Sequence, residues 1–284
     1  MIRRILVPVG GDSVWRSVLE HAATIARRHG AHVIVVHCRT RPEELMPYSV
    51  PLPAFARETL RKQAAELADQ QERALREELH GVAAGLGLKE TDAPDGREAS
   101  IELVDEFGSI GDIVKHNGRL ADLIVVAKPD RDRNVGSNAL KSAIFLTGRP
   151  VLMCARAGDA DPNLGKRIAI GWNGSLEAAR AVAATLDLAA AAEAVTILTA
   201  GKGELHGPPA EELAAYYRLR GVSAEIRRFE VRHPGAALLE NTVAAGASLL
   251  VMGAYGQSHE RETLFGGNTQ YVVDKAEIPV VMAH

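Results

Sequence analysis

The 284-residue chain carries 33 Lys and Arg against 36 Asp and Glu, and 46% of it is hydrophobic. That balance, with a formal charge of −3, argues against broad nucleic-acid binding, which usually needs a basic face. No run approaches the roughly 20 apolar residues that span a bilayer, so neither nucleic acid nor membrane is expected as a partner.

In chain order, Ile5-Leu6-Val7-Pro8-Val9 reads as a strand running into Gly10-Gly11, and the N-terminus lacks a cleavage-site pattern, so it reads as strand and not leader. Ser13 stands where a helix cap is wanted, ahead of the stripe Val14, Val18, Leu19, Ala22 and Ile25. A second strand, His32–Cys38, follows. Residues 39–54 hold four prolines and cannot be regular structure. A long charged helix then runs from about Ala54 to Ala84, with Leu60, Ala64, Leu67, Leu75, Leu79 and Val82 on one side. It reads as a solvated cover for the sheet, with a partner-docking arm as the alternative. Strands at 121–126 and 149–153 complete this half, and 155–165 has linker composition. Cys38 and Cys154 end apolar runs, with no Cys or His cluster beside them; two reduced thiols and a cytoplasmic address are expected.

The remainder repeats the first half. Ile168-Ala169-Ile170-Gly171-Trp172-Asn173-Gly174 matches the opening strand and turn, Ser175 matches the cap, and Leu176, Ala179, Val182, Ala183 and Leu186 form the next stripe. Residues 194–200, 247–252 and 278–282 match 32–38, 121–126 and 149–153. Each half therefore reads β-α-β-α-β-α-β-α-β. Near-continuous Val, Ile and Leu runs mark strands buried on both faces. The expected fold class is α/β, as two tandem doubly wound domains, each a five-stranded parallel sheet of Rossmann-like kind, at 1–155 and 166–284.

The residues that suggest chemistry follow the fourth strand of the second half. Gly253-Ala254-Tyr255-Gly256 is separated by nine residues from Gly266-Gly267-Asn268-Thr269, which opens a helix. Glycine after a parallel strand admits close backbone approach, and a helix start presents free N–H groups at the positive dipole end. That combination suits a phosphate chain, with the Thr269 hydroxyl available to phosphate or to a phosphate-bound Mg²⁺. Ordinary turn and helix-start glycines are the plain alternative.

The spacing Gly-x2-Gly-x9-Gly, set in a complete β/α repeat with Pro-Val-Val or Pro-Val-Leu in its last strand, resembles the ATP-binding members of the universal stress protein family. The resemblance covers nearly the whole chain, once per half, leaving out residues 39–90 and the linker. It implies ATP or another adenine nucleotide as ligand, with phosphates on Gly253, Gly256, Gly266, Gly267 and Asn268 and adenosine near Trp172, Asn173, Gly174 and Ala200. It also implies pairing of the two halves, often through the last strands, either within one chain or in a homodimer as well. Two departures stand out: Asn173 where binding members usually have Asp, and Gly267 where Ser often follows the third Gly. Asn173 also reads as a turn residue, and Trp172 as core or as a wall for adenine.

No Gly-Lys-Ser/Thr phosphate loop, dinucleotide fingerprint or nucleophile elbow is visible, so no catalytic residue is assigned and any ATP hydrolysis would be slow. His37, His233 and His259 lack metal spacing; His259 and Arg261 lie within the glycine-bounded loop, where either could touch phosphate. Three readings stay open: a nucleotide-binding stress or signalling protein, an interaction module with remnant loops, and a slow ATPase. In the first half Ala127 and Asp130 replace the two leading glycines, Ser137 the third, and the intervening stretch is shorter. Titrating the two halves separately is expected to show ATP binding in the second and none, or far weaker binding, in the first.

Overall fold

The computed structural model describes residues 1–10, 14–39, 54–130, 136–155, 160–201, 207–230, 233–256 and 267–284. The first half runs β1 (Arg4–Val9), α1 (Trp15–His29), β2 (His32–Arg39), α2 (Ala54–Gly85), β3 (Lys89–Glu90), β4 (Ser100–Phe107), α3 (Ile110–Gly118), β5 (Leu123–Val126), α4 (Ser137–Leu146) and β6 (Val151–Met153). The second runs β7 (Arg167–Gly171), α5 (Leu176–Ala184), α6 (Leu186–Ala190), β8 (Ala194–Ala200), α7 (Ala210–Arg218), β9 (Ala224–Phe229), α8 (Pro234–Ala244), β10 (Leu249–Gly253), α9 (Gly267–Lys275) and β11 (Val280–Ala283).

The expectation of two separate five-stranded sheets is corrected. The strands form one 11-stranded sheet in the order β3-β4-β2-β1-β5-β6-β11-β10-β7-β8-β9. Pairing is parallel within each half, and the two-residue β3 adds an edge to the first. Only the junction is antiparallel, with Val280 opposite Met153, Val281 opposite Leu152 and Met282 opposite Val151. All six of these residues have 0% exposure. Each half ends in an apolar strand that would otherwise offer an open edge, and pairing the two ends removes both edges.

Side chains alternate across the strands with period two. Ile5, Val7, Val33 and Val35 enter one core layer, while Leu6, Ile34 and Val36 enter the other. Helices cover both faces, as the continuous apolar runs require. In α1, Val18, Leu19, Ala22 and Ile25 are buried as the stripe predicts. The helix opens at Trp15 behind Val14, which makes no side-chain cap; Ser13 lies outside the described residues. It closes on Gly30 at φ 61°, after Arg27, Arg28 and His29 in its last turn.

In α5 the cap is Ser175, whose Oγ accepts from the Ala178 N–H at 3.2 Å. The buried face of this helix differs from the expected stripe. Glu177, Ala178, Ala181 and Val182 point inward, and Leu176 is 56% exposed. The long helix α2 packs unevenly. Leu79 and Ala83 reach the core with Leu75 and Val82 beside them, while Leu60 and Leu67 nearer its start are exposed. Both cysteines are free thiols. Burial, with the Glu106 charge, pushes the Cys38 thiol up to about 12, which leaves little reactive thiolate at neutral pH.

The chain's two tryptophans fall one in each half, Trp15 and Trp172, so each half has its own optical reporter. Leu152→Ala is expected to cost about 2–5 kcal/mol. Because Leu152 lies in the shared junction, chemical unfolding followed in single-tryptophan backgrounds should shift to lower denaturant for both reporters. Movement of the Trp15 signal alone would show that the junction does not couple the halves.

Candidate functional site

In the second half, β7 connects to β8 on one side, and the chain later returns to place β10 on the other. The carboxyl ends of β7 and β10 thus flank a switch in strand order, where α/β sheets leave a crevice. A cleft of about 670 Å³ opens there, floored by Gly171, Leu198, Met252 and Gly253 and walled by the starts of α5, α8 and α9. Its size suits a small organic ligand.

Eight of the ten expected site residues line this cleft: Trp172, Asn173, Ala200, Gly253, Gly256, Gly267, Asn268 and Thr269. Gly174 does not. It turns behind the wall at φ +70°, where an added Cβ would lie 2.7 Å from the Gly207 nitrogen. Gly266 lies outside the described residues, as do His259 and Arg261.

Each residue has a local reason for its place. Trp172 is 7% exposed, and its indole N–H donates to the Pro208 carbonyl at 2.9 Å. It is both core and cleft wall. The Asn173 Oδ1 accepts from the Ser175 N–H at 3.1 Å, closing the turn before α5. The turn role is therefore real, and the amide nitrogen remains as a donor. Thr269 is buried, and its hydroxyl oxygen accepts from the Tyr255 N–H at 3.2 Å, tying the loop after β10 to the first turn of α9. Its own hydrogen stays available to donate elsewhere.

The two leading glycines answer to different neighbours. A Cβ on Gly253 would stand 2.5 Å from the Ala178 nitrogen and 2.6 Å from the Glu177 carbonyl carbon. Glycine there lets the backbone of α5 pack on β10. A Cβ on Gly256 would stand 3.0 Å from Glu177 Oε2. Gly267, by contrast, meets no atom of the described residues within 4 Å, so among them its missing side chain leaves open space at the start of α9.

Sequence reasoning missed three features. Glu177, 6% exposed, projects into the cleft from the first turn of α5. The sequence signal for it is faint, because an acid in a first helical turn reads as a complement to the helix dipole. Tyr255 holds φ 53°, and its ring lies 4.9 Å from that of Phe145 in α4. Burial, with the Asp274 charge, raises its phenol above the usual tyrosine range and keeps it neutral. Phe229, Pro234 and Leu238 supply an apolar wall. Among the described lining residues, Glu177 is the sole formal charge, and no group of three or more His, Cys, Asp or Glu among the described residues could hold a metal by itself.

Comparison with known proteins bears on the fold and the family. The sequence profile of the universal stress protein family matches residues 1–136 and 165–284. A universal stress protein from Archaeoglobus fulgidus superposes with a TM-score of 0.71 at 12% identity, over 99% of this chain and 97% of that one. A putative universal stress protein from Pseudomonas aeruginosa superposes at 0.54 with 20% identity, over 99% and 93%. The cytoplasmic domain of a prokaryotic cation chloride cotransporter shares the fold at 0.51 with 10% identity, over 99% and 95%. No curated protein sequence matches the chain.

The glycine neighbours separate packing from ligand access. Gly253→Ala is expected to cost about 1–3 kcal/mol, because its methyl meets backbone that cannot rotate away. Gly267→Ala should leave the unfolding midpoint unchanged or slightly raised, since it adds a better helix former in open space. Denaturant unfolding of both variants checks the pair.

Proposed function

This chain belongs to the universal stress protein family, and from that premise we propose that its second half binds ATP or another adenine nucleotide in the cleft at the ends of β7, β8 and β10. The observation that supports this is the convergence on one cleft of Trp172, Asn173 and Ala200 from the first two strand ends with Gly256, Gly267, Asn268 and Thr269 from the loop and helix start. The apolar wall suits a base. Gly267, open and at the start of α9, suits a phosphate approaching free N–H groups.

On this reading the protein is a binder that reports nucleotide, with stress or signalling as its setting and the cytoplasm as its place. Hydrolysis, where it occurs, is slow, because the described lining holds neither an arginine nor a lysine to stabilise phosphoryl transfer. The antiparallel β6–β11 contact supplies within one chain the pairing of halves that a homodimer would otherwise supply.

A second reading has its own observation. Leu60 and Leu67 stand exposed on α2, as a docking arm would present them, and the protein then works as an interaction module whose loops are remnants. Denaturing the purified protein and measuring adenine absorbance or mass decides between the two. The nucleotide reading expects bound adenine, or calorimetric binding of added ATP. It also expects Gly267→Asp to stay folded, since the position is open, while weakening ATP at least about tenfold by placing a carboxylate against phosphate. Flat titration of wild type with ATP, AMP and adenosine would leave the interaction module standing.

A further inference from the structure

A depression of about 830 Å³ opens at the amino ends of the first-half strands, and it shares no lining residue with the cleft of the second half. Four segments bring cations to it: Arg3 ahead of β1, Arg27 and Arg28 from the last turn of α1, Lys89 from β3, and Arg97 from the loop before β4. Among the described lining residues Glu98 alone is acidic, and it lies 3.6 Å from the Lys89 ammonium. Arg27 and Arg28 have an ordinary reason to be there, since cations complement the carbonyl end of a helix. That reason does not extend to Arg3, Lys89 and Arg97, which come from other segments. Like charges gathered this way repel, in a chain whose formal charge is −3.

The arginines are held in place without being neutralised. Arg3 Nη1 donates to the carbonyls of His29, Gly30 and Gly96 at 3.1, 3.2 and 2.6 Å. Arg27 Nη1 donates to the Leu86 carbonyl at 2.7 Å, and Arg28 Nη1 to that of Leu164 at 2.8 Å. Among the described residues no carboxylate pairs with these three guanidiniums or with that of Arg97. Nearby acids face backbone instead: Asp122 accepts from the N–H groups of Arg3 and Arg4, and Asp95 from that of Arg97. A guanidinium anchored by one nitrogen holds its other N–H groups in a set orientation, and its planar fork matches phosphate oxygens. His29, also in the lining, adds a ring Nε2 that is buried without a hydrogen-bond partner.

We propose that this depression is a second binding site, for a compact phosphate compound carrying several charges. Its volume falls in the range of small-ligand sites and exceeds what one phosphate fills. A linked phosphate chain can meet cations from several of the four segments at once. The cations converge on one hollow and do not run along a stripe, which a nucleic-acid backbone would need. The site stands independently of the nucleotide reading.

The test is isothermal titration of the full-length protein with tripolyphosphate, orthophosphate, citrate and a single-stranded oligonucleotide. Salt at about 150 mM screens diffuse attraction beyond about 8 Å. Wild type should bind tripolyphosphate at least about tenfold more tightly than orthophosphate, because several charge pairs act together, and more tightly than citrate or the oligonucleotide. The Arg97 guanidinium makes no hydrogen bond among the described residues, so Arg97→Gln should fold as wild type does. It should weaken tripolyphosphate about threefold, as one partly exposed charge pair allows. Arg27→Gln with Arg97→Gln should reach about tenfold, and Arg97→Lys should fall between wild type and Arg97→Gln. Gly267→Asp, in the other cleft, should leave tripolyphosphate affinity unchanged.

Flat titration of wild type with tripolyphosphate overturns the site. Citrate or the oligonucleotide binding as tightly overturns its assignment to phosphate compounds. An affinity that survives both Arg97→Gln and the double variant, or that falls in Gly267→Asp, also refutes it; the last outcome would move the phosphate to the cleft of the second half and favour the nucleotide reading instead.

Discussion

Three facing residue pairs, Val151–Met153 against Val280–Met282, make two repeats into one sheet. Their side chains have no exposure, so the pairing is a core and not a surface contact. Its position matters for the site. β5 and β10 lie immediately inside β6 and β11, so the segments after them are delivered to the junction. There the Lys128 ammonium donates to the Ala276 carbonyl at 2.5 Å, just past α9, a favoured place for a cation. From the other side Tyr255 packs on Phe145, and the His284 ring nitrogen lies 3.0 Å from the Ala254 carbonyl oxygen. The loop that borders the cleft is braced by the half that lacks its glycines.

The same sequence drift explains the different use of the first half. Lys128, Pro129 and Asp130 stand where the second half has Ala254, Tyr255 and Gly256, and Lys128 serves the junction. At the end of β2, one residue past the counterpart of Ala200, stands Arg39. Its guanidinium is held by Asp69 at 2.5 Å and Glu72 at 2.9 Å from α2, over the Phe107 ring at 4.6 Å. Asp105 of β4 likewise ties His37 at 2.9 Å and Arg76 of α2 at 3.1 Å. The inserted helix is thus fastened to strand ends by charge pairs, some of them shielded from solvent. Beside the first-half counterpart of Ala200, then, stands an arginine tethered to the inserted helix.

Much of this was legible in the sequence because it rests on local chemistry. Strands such as Ile5–Val9 and Leu249–Met252 announce a doubly covered sheet by their unbroken apolar runs, and Ser175 announces a helix start by its hydroxyl. The Gly253, Gly256 and Gly266 spacing pointed to the loop after β10, and the two described glycines of that set, Gly253 and Gly256, line the cleft. What escaped was set by tertiary geometry. Val280-Val281-Met282 reads the same whether it ends a sheet or pairs with a second one, so the continuous sheet carries no local signature, and only the family resemblance pointed to pairing through the last strands. The buried face of α5 lies about one residue out of phase with its apolar stripe, since Leu176 is exposed and Glu177 buried. Gly253 lines the cleft and is also required by the α5 backbone; the sequence does not distinguish a glycine that admits a partner from one that admits its own helix.

Tyr255 shows how these constraints meet. A non-glycine residue at φ 53° occupies a sparsely populated region, at a cost of about 1–3 kcal/mol. The structure maintains it through the Thr269 hydroxyl on its N–H and the Phe145 ring against its side chain. Gly253 is pinned against α5 on one side, and Thr269 is buried in α9 on the other. The 253–256 segment is therefore shaped by protein contacts before any ligand arrives, which lowers the ordering cost of binding. It also links the cleft to the junction by direct contact. A ligand that moves Tyr255 must disturb the Phe145 ring and, through it, the His284 ring 5.1 Å away. One loop thus faces both the only described charge in the cleft and the seam between the halves.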